Sequence, residues 1–299
     1  MYRAHFGLRE PPFGITPDTS FVFSCNTHQE ALNTLLVAVA NGEGFIKITG
    51  EVGTGKTLLC RRFLSTLDEK YITAYIPNPY LEPRALMHAL AEELNLSLDP
   101  DAQQHQLLKQ LNHALLAFAR EGKRVVVCLD EAQAMPAETL EALRLLSNLE
   151  TEKRKLLQVV LFGQPELDAR LAMESVRQLR QRITFAYRLG VLSRPELEFY
   201  LAHRLRVAGH TGQRVFTPGA VSLMYRATCG VPRLVNILAN KALLTVYGEG
   251  GYEVARRHVR VAAKDTPTAV FGRGLWWWSA AAAVPALIGA GFGAWWWLQ

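Results

Sequence analysis

Gly50-Glu51-Val52-Gly53-Thr54-Gly55-Lys56-Thr57 has the pattern G-x-x-x-x-G-K-[ST], a loop built to wrap a chain of phosphates. Each part has a physical task. The glycines let backbone N–H groups curl around an anion without Cβ clashes. Lys56 supplies a point charge for the outer phosphates, and the Thr57 hydroxyl can ligate a divalent cation. The flanks supply the context this motif requires. Phe45-Ile46-Lys47-Ile48-Thr49 reads as a short buried strand, and Leu58-Leu59-Cys60-Arg61-Arg62-Phe63-Leu64 as a helix. Phosphates held by Gly50 through Leu58 would then sit on a helix N-terminus, where unpaired N–H groups and the helix dipole favour anions.

Working outward, apolar strands alternate with amphipathic helices. Ile72–Ile76, Arg124–Leu129 and Leu156–Phe162 read as further strands. His28–Asn41, Arg84–Leu94, His105–Arg120 and Ala137–Leu149 read as helices. That alternation predicts a parallel α/β sheet. After about Leu189 the pattern turns helical, with Glu196–Val207, Pro218–Thr228, Pro232–Tyr247 and a short Arg256–Ala263. The expected organisation is an extended N-terminal segment over 1–27, a nucleotide-binding domain over 28–190, a helical domain over 191–265 and a linker over 266–274.

The chain has 299 residues, 49% hydrophobic and 20% charged, with a formal net charge of +6. This suits a folded core and excludes a disordered chain. An excess of that size fits a mildly basic surface and does not by itself indicate nucleic acid. Cys25, Cys60, Cys128 and Cys229 are far apart, which argues against a zinc site or a disulfide framework and for a reducing cytosol. No apolar leader opens the chain. Leu275–Leu298 carries no charge and is bracketed by Trp276–Trp278 and Trp295–Trp297. As a helix it would measure about 36 Å, enough to span a bilayer core. With Arg256, Arg257, Arg260, Lys264 and Arg273 before it, the expectation is a single C-terminal membrane pass with the body in the cytoplasm. Gly289 and Gly293 have the spacing of a helix-packing motif.

Val125–Leu129 delivers Asp130 and Glu131 at a strand's C-terminal edge, where α/β sheets bind ligands. Asp130 can hold Mg²⁺, and Glu131 can orient and deprotonate a water. Gln164 stands at the tip of the next strand, where its amide could touch a terminal phosphate or the water. Arg177, Arg180 and Arg182 follow on what reads as one basic helix, and any of them could reach a neighbouring protomer's site. Arg233, after Pro232, stands at a helix start, where a cation needs an anion to meet.

Together these residues resemble an AAA+ ATPase, and more narrowly the ExeA/GspA family of bacterial secretion ATPases. The stretches that carry the resemblance are HFGLREPPFGITPD, GEGFIKITGEVGTGKTLLCRRFL, CLDEAQAMP, LLSNLETEKRKLLQVVLFGQPEL, LRQRI and GVPRLVNILANKALL, which run over most of Met1–Tyr247. Tyr75-Ile76-Pro77-Asn78-Pro79-Tyr80 and the short tail are most similar to the members that serve MSHA-type type IV pilus biogenesis. The resemblance implies a P-loop AAA+ α/β domain with flanking helices and an all-α lid, binding ATP and Mg²⁺. It implies that Thr57 and Asp130 serve Mg²⁺, Glu131 the water, Lys56 the phosphates and Gln164 the first sensor. Arg182 is then the finger and Arg233 the second sensor. It also implies a homo-oligomer whose partners are inner-membrane pilus or secretion assembly proteins. Cell-wall-acting members carry a periplasmic peptidoglycan-binding domain beyond their span; the sequence stops at Gln299, and cell-wall binding is not carried over. Two competing readings are a DNA-handling ATPase and a nucleotide-gated scaffold with little turnover. The expected membrane pass and the lack of a recognisable DNA-reading module count against the first, and Glu131 against the second.

Overall fold

Alternation along the strands decides which side chains meet. In the computed structural model, which describes residues 2–16, 18–21, 23, 25–99, 101–147, 150 and 155–269, five strands form one sheet. They are β1 (Phe45–Gly50), β2 (Tyr71–Ile76), β3 (Arg124–Leu129), β4 (Leu157–Gly163) and β5 (Ile183–Leu189), in the order β2-β3-β4-β1-β5. Every ladder is parallel. Successive side chains point to opposite faces. Val125, Val127 and Leu129 therefore join one apolar cluster, and Val126 and Cys128 the other.

Helices cover both faces, as a parallel sheet requires. On one face, α1 (Asn26–Ala40) and α2 (Lys56–Thr66) bury Leu32, Leu35, Leu59 and Phe63 against Ile46, Ile48, Val160 and Phe162. On the other, α3 (Pro83–Glu93), α4 (Gln104–Arg120) and α5 (Ala137–Leu146) bring Leu86, Leu90, Leu111 and Leu143 onto Val125, Val127 and Leu161. The short α6 (Glu166–Leu171) and α7 (Arg177–Arg180) complete this unit. Gln158 is a buried polar residue within β4, and its amide ties α1 to the sheet by donating to Val39 O and Glu43 O at 3.1 and 3.0 Å.

β5 was not among the expected strands. Its exposed and half-buried residues alternate, as they must at a sheet edge covered on one face, and the preceding arginines mask its pattern. The single basic helix expected here is a four-residue turn that ends at Arg180, and Arg182 lies beyond it at the mouth of β5.

The chain divides into two compact units, 14–192 and a second made of 1–13 with 193 onward. The second is helical: α8 (Arg194–Val207), α9 (Pro218–Thr228), α10 (Pro232–Gly248) and α11 (Arg256–Lys264). Ser193 starts α8 with a reciprocal cap to Glu196. The N-terminal segment, expected to be extended over 1–27, carries a helical turn at Tyr2–His5; its residues beyond Phe13 belong to the first unit and those up to Phe13 to this one. They are held there by Arg9 N donating to Ala208 O at 2.8 Å and by the buried Arg204 guanidinium donating to Pro12 O.

The expected C-terminal membrane pass is corrected. Among the described residues no helix is long and apolar enough to cross a membrane, and 275–298 lies outside them. The longest described helices, α4 and α10, have 17 residues each. They reach only about 26 Å, and each carries a lysine, Lys109 or Lys241. Membrane anchoring, inner-membrane location and membrane-bound partners are therefore set aside.

Phe162, wholly buried beneath α1 and α2, is a direct test of this packing. Phe162→Ala should lower unfolding stability by about 3–5 kcal/mol in urea titration, and a loss below about 1 kcal/mol would contradict the assigned core.

Candidate functional site

The strand order places three C-terminal edges side by side. β4 lies between β3 and β1, so the residues after Leu129, Gly163 and Gly50 converge on one rim of the sheet. Asp130, Gln164 and the phosphate loop are those residues. The loop needs its glycines here. Gly55 has φ +98°, and a Cβ on Gly50 would stand 2.8 Å from the Thr54 hydroxyl.

Lys56 is buried at the start of α2, with its ammonium donating to Gly50 O at 2.8 Å and Glu51 O at 3.1 Å. Burial lowers its pKa, and the carboxylates of Glu131, Asp130 and Glu51 oppose that shift. The Thr57 hydroxyl donates to Asp130 Oδ2 at 2.6 Å. Asp130 is buried, and burial raises its pKa against the opposing Thr57 and Glu131 N–H bonds. The paired oxygens of Thr57 and Asp130 suit a hard cation such as Mg²⁺, which takes one or two protein ligands and fills its shell with phosphate and water. A buried carboxylate with a raised pKa is also a group that a cation would relieve.

Glu131 adopts a left-handed backbone, φ 54°, which costs about 1–3 kcal/mol for a residue with a side chain. Its carboxylate Oε2 accepts from Gln164 Nε2 at 3.0 Å and from Gln133 Nε2. Burial would raise the Glu131 pKa, but these two amides and the Lys56 charge outweigh it and hold the group below its usual range. A carboxylate held ionised beside an ammonium and a cation-ligand pair can accept a proton from a water.

One expected residue lies elsewhere in this unit. Arg182 donates to Ser147 Oγ at 2.7 Å and precedes Ile183, which pairs with Phe45 at the opposite end of β1 from the phosphate loop. Five residue steps of strand, about 17 Å, separate that end from Gly50. Arg182 thus stands on the far rim of its own sheet. Arg177 and Arg180 are exposed on α7. Arg233 is exposed in the first turn of α10, in the helical unit.

Three residues were missed by sequence reasoning. Gln133 follows the acidic pair on a 3₁₀ turn; it lies within CLDEAQAMP, but that stretch by itself assigns it no role. Tyr75, next to the end of β2, has its hydroxyl 3.4 Å from Asp130 Oδ2, and burial, with Asp130 beside it, pushes its pKa up to about 12. His28 packs its ring on Gly55, where an added Cβ would meet Nε2 at 2.9 Å, and its Nδ1 lies 2.6 Å from the Cys25 thiol. Only the three-dimensional position of these residues gives them meaning. Cys60 and Cys128 lie beneath the rim as free, buried thiols in contact, which raises the Cys60 pKa first by hydrogen bonding and then by burial.

Known proteins match this architecture. The family described as AAA domain matches residues 39–171. General secretion pathway protein A of Aeromonas hydrophila is 41% identical over 276 residues, covering 92% of this chain. The chain spans half the length of that relative. Among solved structures, Cdc6p of Pyrobaculum aerophilum superposes with a TM-score of 0.65 at 18% identity, over 85% of this chain and 72% of that one. The ORC2 protein of Aeropyrum pernix, in ADPNP–ADP complexes, gives 0.60 at 18%, over 84% and 72%. The RuvB branch migration motor of Thermotoga maritima gives 0.53 at 15%, over 81% and 69%. At these identities the structures establish a shared fold and nothing finer.

Asp130→Asn tests the electrostatics. A raised carboxyl pKa means that folding favours the protonated form. The resulting deficit in stability grows as pH rises through the unfolded and then the folded value, and is complete near pH 7. The nucleotide-free variant should therefore melt above wild type at pH 7.5, with the gap closing as pH falls into the carboxylate range. A variant that melts lower at pH 7.5 would contradict the assignment.

Proposed function

We propose that the chain is an AAA+ P-loop ATPase related to the secretion-pathway A proteins, and that it hydrolyses ATP with Mg²⁺ to drive a step in secretion or type IV pilus assembly. The observation that carries this reading is the convergence of Lys56, Thr57, Asp130, Glu131 and Gln164 on one rim of the sheet. The likeness to general secretion pathway protein A supplies the biological class. The Tyr75–Tyr80 stretch narrows it to a pilus-assembly branch typified by MshM.

In this reading Gly50–Leu58 present backbone N–H groups to the phosphates, and Lys56 leaves its carbonyl partners for the β- and γ-oxygens. Bound Mg²⁺, on Thr57 and Asp130, would neutralise charge that builds between those phosphates. Glu131 takes a proton from water as the water oxygen bonds to the γ-phosphorus. The bond to the bridging oxygen breaks and ADP leaves with its electron pair. Gln164 senses the γ-phosphate. Arg182, remote from its own loop, completes a neighbour's site in a homo-oligomer, and Arg233 reads the nucleotide from the lid.

Subunit mixing tests this division of labour. Lys56→Ala and Arg182→Ala should each lose ATP hydrolysis alone, the second by about 10³-fold or more. Mixed one to one in an exchanging oligomer, they should recover about a quarter of wild-type activity, since that share of interfaces joins an intact loop to an intact arginine. No recovery on mixing would place Arg182 outside the site. A Glu131→Gln form, expected to bind ATP without turnover, should capture secretion or pilus assembly components from cell extracts. Capture of DNA-processing proteins instead would overturn the assembly role.

A further inference from the structure

Gln133 spends both ends of its amide on the site. Its Nε2 donates to Glu131 Oε2, and its Oε1 accepts from Gln164 N at 2.9 Å. Gln164 Nε2 closes the circuit by donating to the same Glu131 oxygen at 3.0 Å. Gly163 makes the seat, since a Cβ there would stand 3.2 Å from Gln133 Oε1.

We propose that Gln133 is a positioning residue of the hydrolytic site, which fixes the Glu131 carboxylate and the tip of β4 against each other. The proposal rests on the ATPase reading above. Its physical content is specific to atoms. Both amides load onto Oε2, so Oε1 is the oxygen that faces the water and takes its proton. A glutamate side chain turns about three bonds, and its carboxylate must be aimed for proton transfer. Gln164 alone would hold Oε2 from one direction and leave that oxygen free to slide about its single donor. Gln133 holds the same oxygen from a second direction and, through Gln164 N, ties it to the residue that faces the terminal phosphate. The left-handed backbone at Glu131 turns the chain so that a side chain two residues on can reach back to its carboxylate.

Gln133→Met, which keeps length and volume, and Gln133→Ala, which keeps neither, separate aim from packing. Both should lower kcat by about 10–100-fold, since small misplacement of a reacting group costs that much. KM, the affinity for a fluorescent ATP analogue and the melting temperature should stay close to wild type. In the Glu131→Gln background, Gln133→Met should change the residual rate little, because the two act as one unit. An unchanged kcat in Gln133→Met would overturn the proposal. So would a loss of nucleotide affinity in step with kcat, which would mark a structural role. A wild type that binds ATP without hydrolysing it would sink the ATPase reading first, and that result is distinct because it appears before any variant is made.

Discussion

A single hydrogen bond, Thr57 Oγ1 to Asp130 Oδ2 at 2.6 Å, joins the two halves of this nucleotide site. Its partners follow strands that are not neighbours, because β4 stands between β1 and β3. The sheet order is what brings them within reach. Parallel strands with helical crossovers leave every C-terminal end on one rim, so groups far apart in sequence arrive together without any loop having to travel. The buried Ile, Val, Leu and Phe of the two apolar layers hold that rim rigid.

The same burial sets the electrostatics. Lys56 and Asp130 are both pushed toward their neutral forms by desolvation, while the hydrogen-bonded Glu131 is pushed toward its charged form. A site so arranged is costly when its charges face only one another. It would gain from a polyphosphate and a cation, since each would meet an opposite charge in a medium that screens little. Ligand affinity and the local stability deficit are two sides of one arrangement.

Much of this was legible in the sequence because it depends on local pattern. The phosphate loop requires glycine where φ is positive, and Gly55 has φ +98°. The apolar runs of β1, β3 and β4 announce buried parallel strands. What stayed hidden depends on tertiary placement. β5 alternates like a surface segment because one of its faces is surface, and the arginines before it read as a longer helix than the chain forms. Gln133 and Tyr75 lie in stretches that carry the family resemblance, but no role attached to them or to His28 until the fold set them beside the site. The tryptophan-bracketed stretch pointed to a membrane span, but the described fold contains no such helix.

Gly163 carries a consequence for how this protein can vary. A side chain there would strike Leu167 Cδ2 at 2.8 Å and Leu167 Cβ at 3.1 Å before it reached Gln133. Positions 133, 163 and 167 thus share one small volume, and a larger residue at one must be met by a smaller or displaced one at another. Substitutions at the three are epistatic: a change tolerated in one sequence background is forbidden in the next. The tip of β4 is therefore a place where drift is constrained as a group, and where a residue transplanted alone from a relative would be expected to fail.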